Sequence, residues 1–185
     1  MTLTKIFFKN IPDEERAYFE SMVQHTHLEK NDFFQHSGSI CNKIAIVQSG
    51  LLKSFILTAD GKEKIVEFYS EGMFVSSFTS FVTGKITEWN IQALEHCSLS
   101  VLSKESLQKL YLHHPFWIEL GLKIFEEQTL KKCNREKSLL INSASERYEL
   151  FFQQYRHIES RLALNQIALY LGITPETLSR IRKTS

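Results

Sequence analysis

The sequence predicts an α+β fold: an N-terminal β jelly-roll barrel, then a long helix, then a small helical domain. Three observations predict it. Between Asp32 and Ser103 apolar residues alternate with polar ones, and turn residues recur at nearly regular spacing. From Pro115 to Ile141 a helical pattern runs with only Gly121 to interrupt it. Arg161 to Lys183 holds two short amphipathic runs separated by Gly172.

Composition bounds this reading. At 185 residues, with 43% hydrophobic and 12% aromatic, the chain has enough material for one full domain and a smaller one. Twenty-two Lys and Arg nearly balance 21 Asp and Glu, so there is no global basic field, and any recognition of a polyanion must be local. Cys41, Cys97 and Cys133 are scattered, without Cys-x-x-Cys pairs or zinc-like spacing, and read as thiols in a reducing compartment. The stretch MTLTKIFFKNIPDEER lacks the apolar core of a leader, and no run approaches a membrane span. The expectation is a cytoplasmic protein with no membrane partner.

Taken in order, Ile11-Pro12-Asp13-Glu14 opens a helix, with Pro near its start and acids in its first turn, and is expected to run to about His27. Strands follow at Ile44–Val47, Leu51–Leu57, Ile65–Tyr69, Trp89–Leu94 and Ser98–Leu102. The first hairpin turns at Ser49-Gly50 and the second at Asp60-Gly61. Ser103 caps a helix ending near His113, and Pro115 opens one of about 25 residues, roughly 37 Å long. On it Trp117, Leu120 and Ile124, less regularly Leu130, mark one side, and Ile118, Leu122 and Phe125 widen the apolar face. That face is too broad for a solvated connector, so the helix is expected to pair with a second copy, through Trp117, Leu120 and Ile124. Ser143 with Glu146 reads as a capping box, opening a helix with Tyr148, Leu150, Phe151, Phe152 and Tyr155.

The last stretch is a helix-turn-helix. Leu164, Ile167, Ala168 and Leu171 form one stripe, with Asn165, Gln166 and Tyr170 placed elsewhere. Gly172 ends that helix, Thr174 caps the next, and Pro175 occupies its first position, where a missing N–H costs nothing. Leu178 and Ile181 turn inward, leaving Thr174, Glu176, Thr177, Ser179, Arg180, Arg182 and Lys183 outside as candidate DNA contacts. From Ser143 onward six Lys and Arg face four Glu, an excess of only two, so one copy should hold non-specific DNA weakly and a dimer is required.

Barrel, long helix and terminal helix-turn-helix, in that order, resemble the Crp/Fnr family of bacterial transcription regulators over nearly the whole chain. The resemblance rests on Ile46-Val47-Gln48-Ser49-Gly50, Asp60-Gly61-Lys62-Glu63, Glu71-Gly72-Met73-Phe74-Val75, Ser145-Glu146-Arg147-Tyr148 and, most specifically, Leu171 to Ile181. Its wording is most similar to the regulators of this family found in Bacteroidetes. It implies a cyclic nucleotide-binding-like sensor over 1–114, a dimerisation helix and hinge over 115–142, and a DNA-binding domain over 143–185.

The resemblance also implies a place for a ligand. In the family the segment after Gly72 cradles a nucleotide phosphate, using a glycine and a glutamate near its start and an arginine and a serine near its end. Those places fall on Ser76, Ser77, Thr87 and Glu88, so the glycine, the ribose-binding carboxylate and the arginine are absent, and a carboxylate stands where it repels phosphate. Lys132 and Cys133 lie where the family's long helix reaches toward the ligand. The expectation is a degenerate pocket that does not hold cyclic AMP tightly, with a small-molecule effector of other identity left open. The family's base-reading places fall on Pro175, Glu176 and Arg180. The family continues past this helix into a β-hairpin wing and this sequence stops at Ser185, so the reader is expected to lack a complete wing. DNA, a second copy and, at a promoter, RNA polymerase are the implied partners; no cofactor is expected, since the N-terminal cysteine group of iron–sulfur members is missing.

Two rival readings remain. One is a sensor or scaffold dimer that has lost DNA binding, in line with the near-neutral charge. The other is a cupin-like metal enzyme, since jelly rolls host such chemistry. Its nearest ligand set, His25-Thr26-His27 with Glu29, is expected on the N-terminal helix rather than on barrel strands, and His113-His114 at a helix end. No nucleophile–base pair or glycine-rich phosphate loop appears, so the protein is not expected to be an enzyme.

Overall fold

The computed structural model describes residues 11–184. Met1 to Asn10, most of the stretch read above as lacking a leader's core, and Ser185 lie outside the described residues. Two compact units result. The first holds the described residues up to Ile56 together with Glu67–Ile124, and the second holds Leu57–Val66 with the described residues from Phe125 onward.

In the first unit, α1 (Asp13–Met22) is followed by β1 (Gln24–Leu28), β2 (Phe33–Gln35), β3 (Lys43–Ser49), β4 (Leu52–Leu57), β5 (Glu63–Tyr69), β6 (Phe74–Val75), α2 (Phe78–Thr83), β7 (Asn90–Ala93), β8 (Cys97–Ser103), α3 (Lys104–His113) and the start of α4 (Pro115–Ile141). The strands form two four-stranded sheets, ordered β1-β8-β3-β6 and β2-β7-β4-β5. Their facing sides meet through Ala45, Val47, Val75, Cys97 and Leu99 from one sheet and Phe34, Leu52, Tyr69, Ile91 and Ala93 from the other. The outer side of the first sheet, Ile44, Ile46, Phe74 and Leu102, is covered by Phe19, Phe81, Leu110, Trp117 and Leu120 from the helices. Both faces of β3 are therefore buried, which is why Ile44-Ala45-Ile46-Val47 reads as a continuous apolar run rather than an alternation. Each large side chain buried here contributes about 1.5–3 kcal/mol.

At Gly50, between β3 and β4, φ is +100°, and a Cβ there would lie 2.5 Å from the His96 carbonyl and 2.6 Å from the Cys97 sulfur. Only glycine fits.

The chain departs from the sequence reading at α1, which stops at Met22 rather than near His27. Val23 is extended, and Gln24–Leu28 pairs with β8 from Gln24 opposite Val101 to Leu28 opposite Cys97. As an edge strand β1 buries almost nothing, and its polar residues imitate a helix surface in sequence. His25 and His27 thus stand on a strand. His27 stacks on His96, whose Nδ1 is 3.0 Å from Glu29, and no group of three or more metal-capable side chains is found among the described residues. Between Gly72 and Trp89, where the sequence reading places no strand or helix, lie the short strand β6 and the helix α2.

One acid predicted for the first turn of α1 is not at the surface. Glu15 is buried, accepts the Trp117 indole N–H at 2.6 Å, and has His113 Nε2 3.4 Å from its other oxygen.

The second unit comprises the tip of the β4–β5 hairpin, the remainder of α4, α5 (Ala144–Tyr155), a single turn at Glu159–Arg161, α6 (Leu164–Leu171) and α7 (Pro175–Thr184). Ser143 caps α5 as its sequence predicts. The hydroxyl accepts from the Glu146 N–H, the Glu146 carboxylate accepts from the Ser143 N–H, and this bonding, the Ser143 hydroxyl first, holds the Glu146 carboxyl below the usual range. The unit's core is aromatic: Phe151 lies 5.3 Å from Tyr155 and 5.4 Å from Tyr170, centroid to centroid, and Tyr155 meets Tyr170 edge-on at 5.5 Å. Tyr170, expected away from the stripe, is therefore buried, because α6 packs on both α5 and α7 and needs a wider face than one stripe.

Candidate nucleic-acid interface

The reader is built by three local rules. The Gln166 side chain accepts from the Ala163 N–H at 2.9 Å and so satisfies one donor at the start of α6. Gly172 takes the left-handed conformation, φ +69°, and ends α6. The Thr174 hydroxyl then accepts from the Thr177 N–H at 3.3 Å, which caps α7. Leu178 and Ile181 bury the inner face of α7.

Outside, Thr174, Glu176, Arg180, Arg182 and Lys183 are exposed, while Thr177 and Ser179 are half-buried. Bonds to its own backbone N–H and then to the Thr174 hydroxyl hold the Glu176 carboxyl below the usual range, so it is a carboxylate at neutral pH and accepts hydrogen bonds without donating. Arg180 is exposed and donates from Nη2 to the Thr177 hydroxyl at 3.4 Å. Arg182 is ion-paired with Glu159 inside the unit.

The residues assigned to a degenerate ligand pocket do not all come together. Ser76, Ser77 and Thr87 are buried. Ser77 and Thr87 share a hydrogen bond of 2.7 Å, the Ser76 hydroxyl donates to the Lys43 carbonyl at 3.0 Å, and Thr87 accepts from the Trp89 N–H at 3.0 Å. Gly72 forms the preceding turn, its N–H bonded to the Val47 carbonyl at 2.8 Å. Glu88 is exposed, and Lys132 and Cys133 are exposed on α4 in the second unit.

Along α4 the expected pairing residues are corrected. Trp117 and Leu120 are 2% and 5% exposed, and Ile124 packs partly buried beside them; all three belong to the core of the first unit and are not available to a partner. Ile118, Leu122 and Phe125 are 54%, 57% and 55% exposed, and their spacing of four and then three residues aligns them in one stripe. The sequence shows both sets, but the half that the barrel covers was not distinguishable from periodicity. Sequence reasoning gave no role to two arginines: Arg135, which donates to the Tyr170 carbonyl, and Arg147, whose Nε donates to the Leu171 carbonyl at 3.1 Å and Nη1 to the Asn142 carbonyl at 2.8 Å. The carbonyls they bond leave no mark in the sequence.

A two-sheet jelly roll is followed in this chain by a long helix and a capped helix-turn-helix. Residues 25–114 match the family described as "Cyclic nucleotide-binding domain". The chain is 31% identical over 171 residues to the "Transcriptional activator protein anr" of Pseudomonas aeruginosa, covering 83% of this chain and 67% of that protein. It is 25% identical over 187 residues to the "Probable transcriptional regulator flp" of Lacticaseibacillus casei, covering 95% and 82%. Among solved structures, a variant of CooA from Carboxydothermus hydrogenoformans superposes with a TM-score of 0.77 at 17% identity, covering 100% of this chain and 84% of that one. The c-di-GMP responsive regulator CLP from Xanthomonas campestris superposes at 0.72 and 17%, covering 94% and 91%. These structural likenesses concern the fold. The chain belongs to the Crp/Fnr family of transcriptional regulators. Its described residues contain no helix long and apolar enough to cross a membrane.

Proposed function

We propose that the chain is a sequence-specific DNA-binding regulator that works as a homodimer in the cytoplasm, and that its barrel does not take cyclic AMP. The observation that carries this reading is α7, whose inner face is closed by Leu178 and Ile181 while Glu176, Arg180 and Lys183 face outward. Glu176 accepts from a cytosine amino group and Arg180 donates to guanine, each supplying about 1–3 kcal/mol of discrimination. Thr174, Thr177 and Lys183 meet phosphates. Ser179, half-buried, and Arg182, tied to Glu159, lie at the margin of this contact. Two copies pair along Ile118, Leu122 and Phe125 and set their α7 helices about 34 Å apart, one helical turn of an inverted-repeat site.

In the barrel, Ser77 and Thr87 share a hydrogen bond at the expected phosphate place, and Ser76, next to Ser77 in sequence, donates to the Lys43 carbonyl. A phosphate buried there without a compensating charge is too costly. Titration calorimetry with cyclic AMP is expected to give no binding heat; micromolar affinity would overturn this part of the reading. An effector of different chemistry acts only by binding two orientations of the long helices unequally. Contact with RNA polymerase follows from the promoter role of such regulators. The direct experiment is selection of bound fragments from genomic DNA by the full chain. Enrichment of an inverted repeat supports the reading, and no enrichment even at low salt favours the scaffold dimer instead.

A further inference from the structure

The last carbonyls of α6 have no partner within their own helix, and they carry the negative end of its dipole. Two of them are met by arginines from outside the motif. Arg147 takes the Leu171 carbonyl, and Arg135, on α4, takes the Tyr170 carbonyl at 2.6 Å. Arg135 does more than cap. Its guanidinium carbon lies 3.7 Å from the centroid of the Tyr170 ring, and the same Nη2 reaches the Ile65 carbonyl, in the hairpin tip, at 3.3 Å. The same ring also meets Phe151 and Tyr155.

We propose that Arg135 is the positioning residue of the DNA reader: it holds α4, α6 and the hairpin tip Leu57–Val66 in one arrangement, and through the short turn at Gly172 it sets the direction in which α7 points. This rests on the DNA-reading function proposed above. The chemistry requires arginine. A planar, delocalised cation stacks on a ring while donating in its own plane to carbonyls, whereas a lysine ammonium is a point charge that cannot do both. Arg135 does not itself touch DNA in this role, since Tyr170 and Ile65 engage its guanidinium. Because the readers of a dimer must enter two grooves at a fixed spacing, an error in the direction of α6 is felt at both half-sites.

The test uses the full chain with Arg135→Ala, Arg135→Lys and Tyr170→Leu. Affinity for a fragment enriched by the wild type is measured across a series of salt concentrations, and amide hydrogen exchange is followed in the absence of DNA. Both Arg135 variants are expected to bind roughly tenfold more weakly, a typical size for coupling through a positioning contact. The dependence of affinity on salt is expected to stay as in the wild type, whereas loss of a phosphate contact lowers the slope by about one. Exchange is expected to rise in residues 57–66 and 164–173 for all three variants. Affinity within twofold of the wild type, or a slope reduced by about one, overturns the proposal. If the wild type binds no DNA, the DNA reading fails while exchange still decides Arg135: a rise in both segments sustains the clamp, and unchanged exchange overturns it.

Discussion

The segment from Ser76 to Thr87 and the helix α7 are both rich in short polar side chains, yet they treat those groups in opposite ways. In the barrel, Ser76, Ser77 and Thr87 are buried and hydrogen-bonded to one another or to carbonyls. On α7, Thr174 and Glu176 close the first turn at the surface, and Arg180 and Lys183 project from it. A polar residue at a family's ligand position therefore does not mark a ligand site until its hydrogen bonds have been traced. Those of the barrel are buried, whereas those of α7 lie at the surface, where Thr174, Glu176, Arg180 and Lys183 are exposed. The long helix repeats the contrast with apolar groups, Trp117 and Leu120 being used by the barrel and Ile118, Leu122 and Phe125 left uncovered.

Substitutions can break this contrast. Trp117→Ala should have the largest effect, costing about 3–5 kcal/mol as a large-to-small core change, with a further penalty for leaving the buried Glu15 without its indole donor. Urea unfolding measures it, and a loss below about 1 kcal/mol would mean that Trp117 faces a partner after all. Leu122→Ala should barely move the unfolding midpoint of the monomer while shifting the sedimentation profile toward the monomer. Ser77→Ala removes the partner of Thr87 and is expected to cost about 1–3 kcal/mol, read as a lower unfolding temperature. If instead it stabilises the protein, the hydroxyl network is not what closes the segment.

Arg180→Ala, on the open side, should leave stability within about 0.5 kcal/mol. It should lose about 1–3 kcal/mol of preference for the enriched DNA over random DNA. Equal losses on both would sink its assignment to a base. Ser143→Ala is expected to cost about 1 kcal/mol of stability by removing the cap of α5. The pH dependence follows from Glu146, whose folded pKa is depressed chiefly by the Ser143 hydroxyl. Its stabilising contribution is complete above the ordinary glutamate range and disappears as pH falls through the depressed folded value. Acid titration of unfolding temperature should thus fall less steeply for Ser143→Ala than for the wild type.

Much of the chain was legible because its punctuation is chemical. Ser103 and Ser143 cap helices where a serine followed by suitable partners predicts it, Pro115 opens α4, and Gly172 ends α6 in the one backbone region that favours glycine. The central strands were legible from apolar runs between turns. The polar edge strand β1 was not, because its residues are almost all exposed and no buried face creates an alternation. Tyr170 and the two faces of α4 were misplaced for a related reason: periodicity reveals that a helix has apolar positions, but not which neighbour covers each one. Arg135 was invisible altogether. Its partners are backbone carbonyls, which every sequence contains.

The distribution of thiols has a practical consequence. Cys41 and Cys97 are sealed within the barrel, and Cys133 is exposed on the long helix. The native protein thus offers one readily accessible attachment point for a maleimide dye or a nitroxide, on the element expected to join two copies. Distance measurements between labels can then follow that helix pair without an engineered cysteine, and can report any rearrangement that an added compound produces.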